Sequence, residues 1–265
     1  MKNLLFSLTM LSAAVGTSLA QDTKLHVNPR WDECSFQLDE SLTQSAWRQF
    51  TREAALVSYF RPLTDAKPMG VLNVEFSLLQ WSTAIDDSDP AWNNTFVHPD
   101  STHWLTEGSS LAFPGLMARV GVTDRLDVGA YWTKNPHANY GFFSGQLQYN
   151  LIHNPEKKWA ASARLNFSSL YGPEDLTLRA YGMDVLASKE FTLYKNWITL
   201  SPYVGVSAYV SSSHEMTAVV ELEDEILGGG QAMVGALLKL GMGRLGVEYN
   251  FAEVNTFSLK VGVGF

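Results

Sequence analysis

The sequence predicts an all-β fold: a transmembrane antiparallel up-and-down β-barrel of about ten strands (roughly 8–12), preceded by an amphipathic helix. Three observations lead there. Apolar and polar residues alternate in short blocks from Val71 to the end. The connectors between blocks are short and long by turns. The last strand keeps one face apolar up to the final residue, Phe265.

The alternation is clearest in "KWAASARLNFSSLYG". Trp159, Ala161, Ala163, Leu165 and Phe167 share one face, and Ser162, Arg164, Asn166 and Ser168 share the other, because side chains along a strand alternate between faces. "NWITLSPYVGVSAYV" repeats the pattern, with Ile198, Leu200, Val204, Val206, Ala208 and Val210 opposite Thr199, Ser201, Tyr203, Ser207 and Tyr209. Blocks near 71–81, 112–122, 125–133, 141–152, 177–188, 230–240, 244–251 and 255–265 bring the count to about ten. A soluble sandwich would alternate too, with large apolar residues inward and polar ones outward. Here the polar face is rich in Gly, Ser, Asn and Gln. Trp132, Tyr149, Trp159, Tyr171, Trp197, Phe251 and Phe265 stand at block ends, as the aromatic girdles of a membrane barrel do.

"VTDRL", "HNPEKK", "KEFTLYKN" and "GMGR" are short connectors. Those at 82–110, 134–140, 171–176 and 211–229 are mostly longer and polar, and only the last hairpin, near Ala252–Asn255, departs from the pattern. Short turns on one side and long loops on the other is the layout of a membrane barrel, with an even strand count returning both ends of the wall to the short-turn side.

Before the wall, three segments are expected. Lys2, the apolar "LLFSLTMLSAAVG" and the small-residue "SLA" at 18–20 read as a signal peptide over 1–20, so the chain is expected to be exported. Residues 21–68 form an N-terminal segment and 69–265 the barrel. Within 21–68, Leu42, Ala46, Phe50, Ala54, Val57 and Phe60 recur at helical spacing, predicting a helix over about 41–60 that ends near Pro62, with Ser41 and Gln44 as its capping box. That helix could plug the lumen, seal the mouth on the short-turn side or lie on the membrane surface. Beyond Ala20 no run approaches ~18 apolar residues, so no helical span is expected.

Composition excludes some classes. The formal charge of −8 includes Lys2, the one charged residue before position 21, so the mature chain stands at −9. Such acidity disfavours nucleic acid, whose phosphates require clustered Lys and Arg. The single cysteine, Cys34, excludes an internal disulfide, and "WDECSF" lacks the residues of a lipoprotein acceptor.

The ending "SLKVGVGF" resembles the C-terminal strand of bacterial outer-membrane β-barrel proteins. In that family, alternating apolar residues and a final Phe are read as an assembly signal by the barrel insertion machinery. The resemblance assigns that role to Phe257, Leu259, Val261, Val263 and Phe265, and implies residence in the bacterial outer membrane with its lipid as solvent. Beyond this, the chain resembles only uncharacterised barrels of similar length. The fatty-acid transporter family also begins with a segment inside its barrel, but its chains are longer and have more strands.

Motifs of other chemistries give way to plainer readings. "GMGRLG" at 241–246 fits G-x-G-x-x-G, yet a strand follows where a dinucleotide fold needs a helix, so a hairpin turn is expected. Asn93 and Asn166 head glycosylation-like triplets that carry no information in a bacterial barrel. Asp86, Asp87, Asp89, His98, Asp100, His103, His137 and His214 fall in the long loops, where an Asp–His pair could activate water as in the ten-stranded omptin proteases. No stretch matches omptin residues, and His98 and His103 lack metal-ligand spacing on a regular element. Solvated loop acids are the reading; no enzyme activity, cofactor or metal is expected.

The inward charges are more informative. With tight hairpins, Lys239, Glu248 and Lys260 fall on the polar faces of successive strands, and closure brings Glu75 beside them. Arg119 with Asp127, and Arg164 with Asp184, are expected as similar pairs. About ten strands enclose an interior little wider than one that side chains fill, which rules against a general diffusion porin. The expected function is narrow transport or binding of a small molecule, an apolar one among the candidates. The alternatives are a non-conducting structural or surface-interaction barrel acting through loops 82–110 and 211–229, and, last, an omptin-like rim hydrolase.

Overall fold

The computed structural model describes residues 35–86, 88–97, 114–134, 138–195 and 197–265. Ten strands form the wall: β1 Val74–Thr83, β2 Gly115–Gly121, β3 Leu126–Lys134, β4 Gly141–Asn154, β5 Trp159–Tyr171, β6 Leu176–Lys189, β7 Ile198–Glu215, β8 Glu225–Leu240, β9 Gly243–Phe251 and β10 Thr256–Gly264. Each pairs antiparallel with the next, and β10 pairs with β1 from Thr256↔Thr83 to Gly264↔Glu75, which closes the ring. A four-residue strand, Phe191–Tyr194, lies in the β6–β7 connection and pairs with the first residues of β7.

Closure follows from the alternation, and the polarity of the two faces fixes what surrounds the barrel. On β5, Leu165 is 55% exposed while its neighbour Arg164 is 1% exposed. The same inversion runs through β10, where Phe257, Leu259, Val261 and Val263 point outward and Thr256, Ser258 and Lys260 are buried. Water would make this arrangement unfavourable, since each large apolar side chain left outside forgoes ~1.5–3 kcal/mol of burial. Hydrocarbon removes that cost, and a closed ring leaves no unpaired edge in it. The chain is a membrane-spanning β-barrel. No helix among the described residues is long and apolar enough to cross a membrane.

Two strands run further than the alternation indicates. β7 continues to Glu215 and β8 begins at Glu225, so the expected 211–229 loop shrinks to 216–224. Ser211↔Leu227 and Ser213↔Glu225 pair in this extension, and both serines are buried. Beyond the apolar band a strand needs no greasy face, so its sequence loses the period-two contrast.

The N-terminal segment occupies the interior, one of its three expected placements. Helix α1, Gln44–Ser58, is capped by Thr43, whose side chain accepts from the Ala46 amide. Ser41 is not the cap: its hydroxyl instead donates to Asp39 at 2.6 Å. The helix packs Trp47, Phe50, Ala54 and Val57 into a buried cluster with Trp81, Trp92, Tyr131, Tyr140 and Phe142 at the long-loop end of the barrel. A short helix, Pro90–Asn93, in the β1–β2 connection supplies Trp92, whose indole donates to Glu53 of α1 at 2.5 Å. From Tyr59 the chain leaves the helix and runs to the short-turn end, where Gly70 (φ 88°) and Leu72 (φ 62°) turn it into β1.

Candidate functional site

The wall and the segment inside it form one polar network along Tyr59–Met69. Arg61, 1% exposed, donates to Asn250 Oδ1 (2.6 Å), to Gln231 Oε1 (3.2 Å) and to the Tyr59 carbonyl (2.8 Å). Thr64 donates to Gln148 (2.8 Å) and accepts from Arg164 (3.1 Å). Asn150 and Gln148 donate to the carbonyls of Ala66 (2.8 Å) and Asp65 (2.9 Å). A buried backbone needs such partners, and residues 59–69, lacking secondary structure, find them on the lumen face of the strands.

The expected charge pairs sit within this network. Arg164 meets Asp184 at 2.5 Å, Arg119 meets Asp127 at 2.5 Å, and Lys260 meets Glu75 at 2.8 Å across the β10–β1 seam. Each pair has spare hydrogen-bonding capacity and uses it on the N-terminal segment. The Tyr59 hydroxyl donates to Asp184, the Met69 amide donates to the Asp127 carboxylate at 3.2 Å, and Lys260 donates to the Pro62 carbonyl at 3.3 Å. Lys239 departs from the expectation: it pairs with Asp65 of the segment at 3.2 Å and not with Glu248. Glu248 lies opposite Gly235 and Ser258 and accepts from the Tyr203 hydroxyl at 2.7 Å. The alternating ladder of charges therefore stops short: the register sets Lys239 opposite Arg244 and Glu248 opposite Gly235, and Lys239 finds its anion in Asp65 of the segment.

Sequence reasoning missed Arg61, Thr64, Asp65 and Lys67 as wall contacts. Their signal was present in "FRPLTDAKPMG", where these four polar and charged residues stand between an amphipathic helix and the first strand. A glycine marks the fit as well. A Cβ at Gly182 would lie 2.3 Å from the Tyr59 ring, so β6 can accept Tyr59 there only without a side chain.

At the short-turn end the network opens into a cavity of about 590 Å3 whose lining includes Asp65, Arg119, Lys158, Lys239 and Arg244. It is charged rather than apolar.

The loop groups among the described residues have local partners. Asp86 accepts from the Ser88 hydroxyl at 2.6 Å, which holds its carboxyl below the usual aspartate range, and Asp89 caps Pro90–Asn93. His214 lies 2.5 Å from Asp224 on the exposed rim. Among the described residues no group of three or more His, Cys, Asp or Glu side chains is placed to hold a metal ion. Asp87, His98, Asp100, His103 and His137 lie outside the described residues, as do residues 1–20, expected as a signal peptide, and Cys34. Gly241, at φ 59°, turns β8 into β9, which makes "GMGRLG" a hairpin.

No family model matches the chain, and no curated protein matches it. Solved structures do. The β domain of the Bordetella autotransporter BrkA is 11% identical over 74% of this chain and 100% of its own, with a TM-score of 0.41. The translocator domain of the autotransporter NalP from Neisseria meningitidis is 10% identical over 83% and 95%, with a TM-score of 0.35. Ail, the attachment invasion locus protein of Yersinia pestis, is 11% identical over 74% and 99%, with a TM-score of 0.31. Likeness at this level says nothing of what this chain does, and the barrel stands on its own strand pairing.

Proposed function

We propose that the protein is a non-conducting barrel of the bacterial outer membrane, closed by its own N-terminal segment and acting through the face formed by its long loops. The observation that carries this reading is the lumen itself. Residues 44–58 fill one end with an aromatic cluster, and residues 59–69 are bonded to the wall along the remainder. The orientation follows from loop length, with short turns on the periplasmic side. No enzymatic activity or cofactor belongs to this reading. Its partners are outer-membrane lipid, the insertion machinery during assembly, and whatever meets the outer loops.

A narrow transport or binding role for a small molecule has one supporting observation, the 590 Å3 cavity at the short-turn mouth. Passage from that cavity would require residues 59–69 to leave their partners. Single-channel recording on refolded protein separates the two readings. A flat baseline is expected, and a steady conductance from the unaltered protein would overturn the non-conducting reading.

A further inference from the structure

The two ends of the barrel carry opposite charge. At the long-loop end the exposed acids Glu40, Asp86, Glu174, Glu221, Glu223 and Asp224 outnumber the exposed cations Arg48, Arg52, Lys134 and Arg179 among the described residues. At the short-turn end cations prevail in sum, through three of the four turns. The β2–β3 turn sets Arg125 beside Asp124, and the β4–β5 turn sets Lys157 and Lys158 beside Glu156. The β6–β7 connection adds Lys189 and Lys195, while its Glu190 is already paired with Lys67 at 2.9 Å. Arg244, just past the β8–β9 turn, donates to the carbonyls of Gly241 and Gly243 and forms no ion pair among the described residues.

This basic rim borders exposed apolar and aromatic side chains. Trp197 is 67% exposed and Phe265 61%, with Phe191 and Tyr194 beside them, and Lys189 and Lys195 lie over the rings of Phe191 and Tyr194 at 5.7 and 5.6 Å. Aromatic side chains of this kind settle at the headgroup level of a bilayer, and long cationic side chains reach from there into the headgroup layer. The cavity opens on the same rim, with Lys158 and Arg244 in its lining. Behind them is Arg119, 3% exposed, whose Nε has no hydrogen-bond partner among the described residues.

We propose that the short-turn rim is a docking surface for anionic phospholipid headgroups, with Lys157, Lys158, Lys195 and Arg244 receiving the phosphates. Charge complementarity selects this occupant. A zwitterionic headgroup offers the rim no net attraction, whereas each Lys or Arg beside an anionic surface gains about fivefold in affinity. The inference is independent of whether the lumen conducts.

The test compares spin-labelled phosphatidylglycerol with spin-labelled phosphatidylcholine for immobilisation by the protein refolded in phosphatidylcholine vesicles. A several-fold preference for phosphatidylglycerol is expected at low salt, shrinking at about 0.5 M salt as the rim is screened. The quadruple variant Lys157→Gln, Lys158→Gln, Lys195→Gln, Arg244→Gln should hold the two lipids alike. Equal immobilisation by the unaltered protein, or an undiminished preference in the variant, overturns the proposal. Displacement of the lipid by an equal concentration of inorganic phosphate would mark a phosphate site and overturn the lipid assignment. Heat-modifiable migration on gels reports whether the variant folds. Should it not fold, the single variants Lys158→Gln and Arg244→Gln decide, each expected to reduce the preference, with no reduction in either overturning the proposal.

Discussion

Val74 and Phe265 exchange both of their main-chain hydrogen bonds, at 2.7 and 2.9 Å. The first residue of the wall thus pairs with the last residue of the chain, and the ring is completed by the residues that resemble an assembly signal. The Phe265 ring also lies 6.4 Å from that of Phe76 on β1, on the lipid side.

Phe265→Ser should therefore reduce the amount of barrel assembled in cells far more than it reduces stability. An apolar side chain is worth ~1.5–3 kcal/mol when wholly transferred from water. Phe265 sits at a girdle and should be worth less. The comparison is between the heat-modifiable fraction in membranes and the urea midpoint of refolded protein. A proportional loss in both would remove the signalling role.

Lys260 and Glu75 should couple strongly, and Lys260 and Glu248 hardly at all. Removing one member of a buried pair typically costs ~3–5 kcal/mol because the other stays charged without its partner. Double-mutant cycles with Lys260→Met, Glu75→Gln and Glu248→Gln, read by urea unfolding in vesicles, measure both terms. A large Lys260–Glu248 coupling would contradict the register, which sets Lys260 opposite Gly246 and Glu248 opposite Ser258.

Loosening the interior segment should open the lumen without unfolding the wall. Tyr59→Phe, Thr64→Val and Asp65→Asn together remove bonds to Asp184 and Gln148 and weaken the pairing with Lys239. The triple variant is expected to show intermittent conductance in planar bilayers and faster proteolysis within 44–69, while its heat-modifiable migration persists. A silent, protease-resistant variant would show that the helix alone seals the barrel.

Gly182→Val should destabilise the folded barrel by about 1–3 kcal/mol, since the new side chain must enter space held by the Tyr59 ring. Tyr59→Ala should recover part of that loss. Additive losses in the double variant would mean that ring and glycine do not meet.

Much of the wall was legible in the sequence because a barrel in lipid imposes contrast at every second residue. The pairs Arg119–Asp127 and Arg164–Asp184 followed from that period and from short turns. The interior segment was legible only as a helix. Its partners stand far away in the chain, Thr64 with Gln148 and Arg61 with Asn250, and no local period encodes such contacts. Lys239 shows the consequence: the pattern gave its face correctly, and a residue from outside the pattern took it as a partner. The cap was missed for a different reason. Ser41 and Gln44 have capping-box spacing, but Thr43 stands nearer the first helical turn, and Asp39 engages the Ser41 hydroxyl.

The path of residues 44–73 bears on the order of events during assembly. The segment is continuous with β1 at the short-turn rim, and its helix begins at the long-loop rim, where Gln44 meets Glu225 and Arg48 pairs with Glu225 at 3.0 Å. Had the ring closed first, residues 35–58 would have had to be pushed through it from the short-turn side. Folding the sheet around a segment already lying across it needs no such passage. The meeting of Val74 and Phe265 then becomes the knot on a wrapped parcel, tied once the contents are in place.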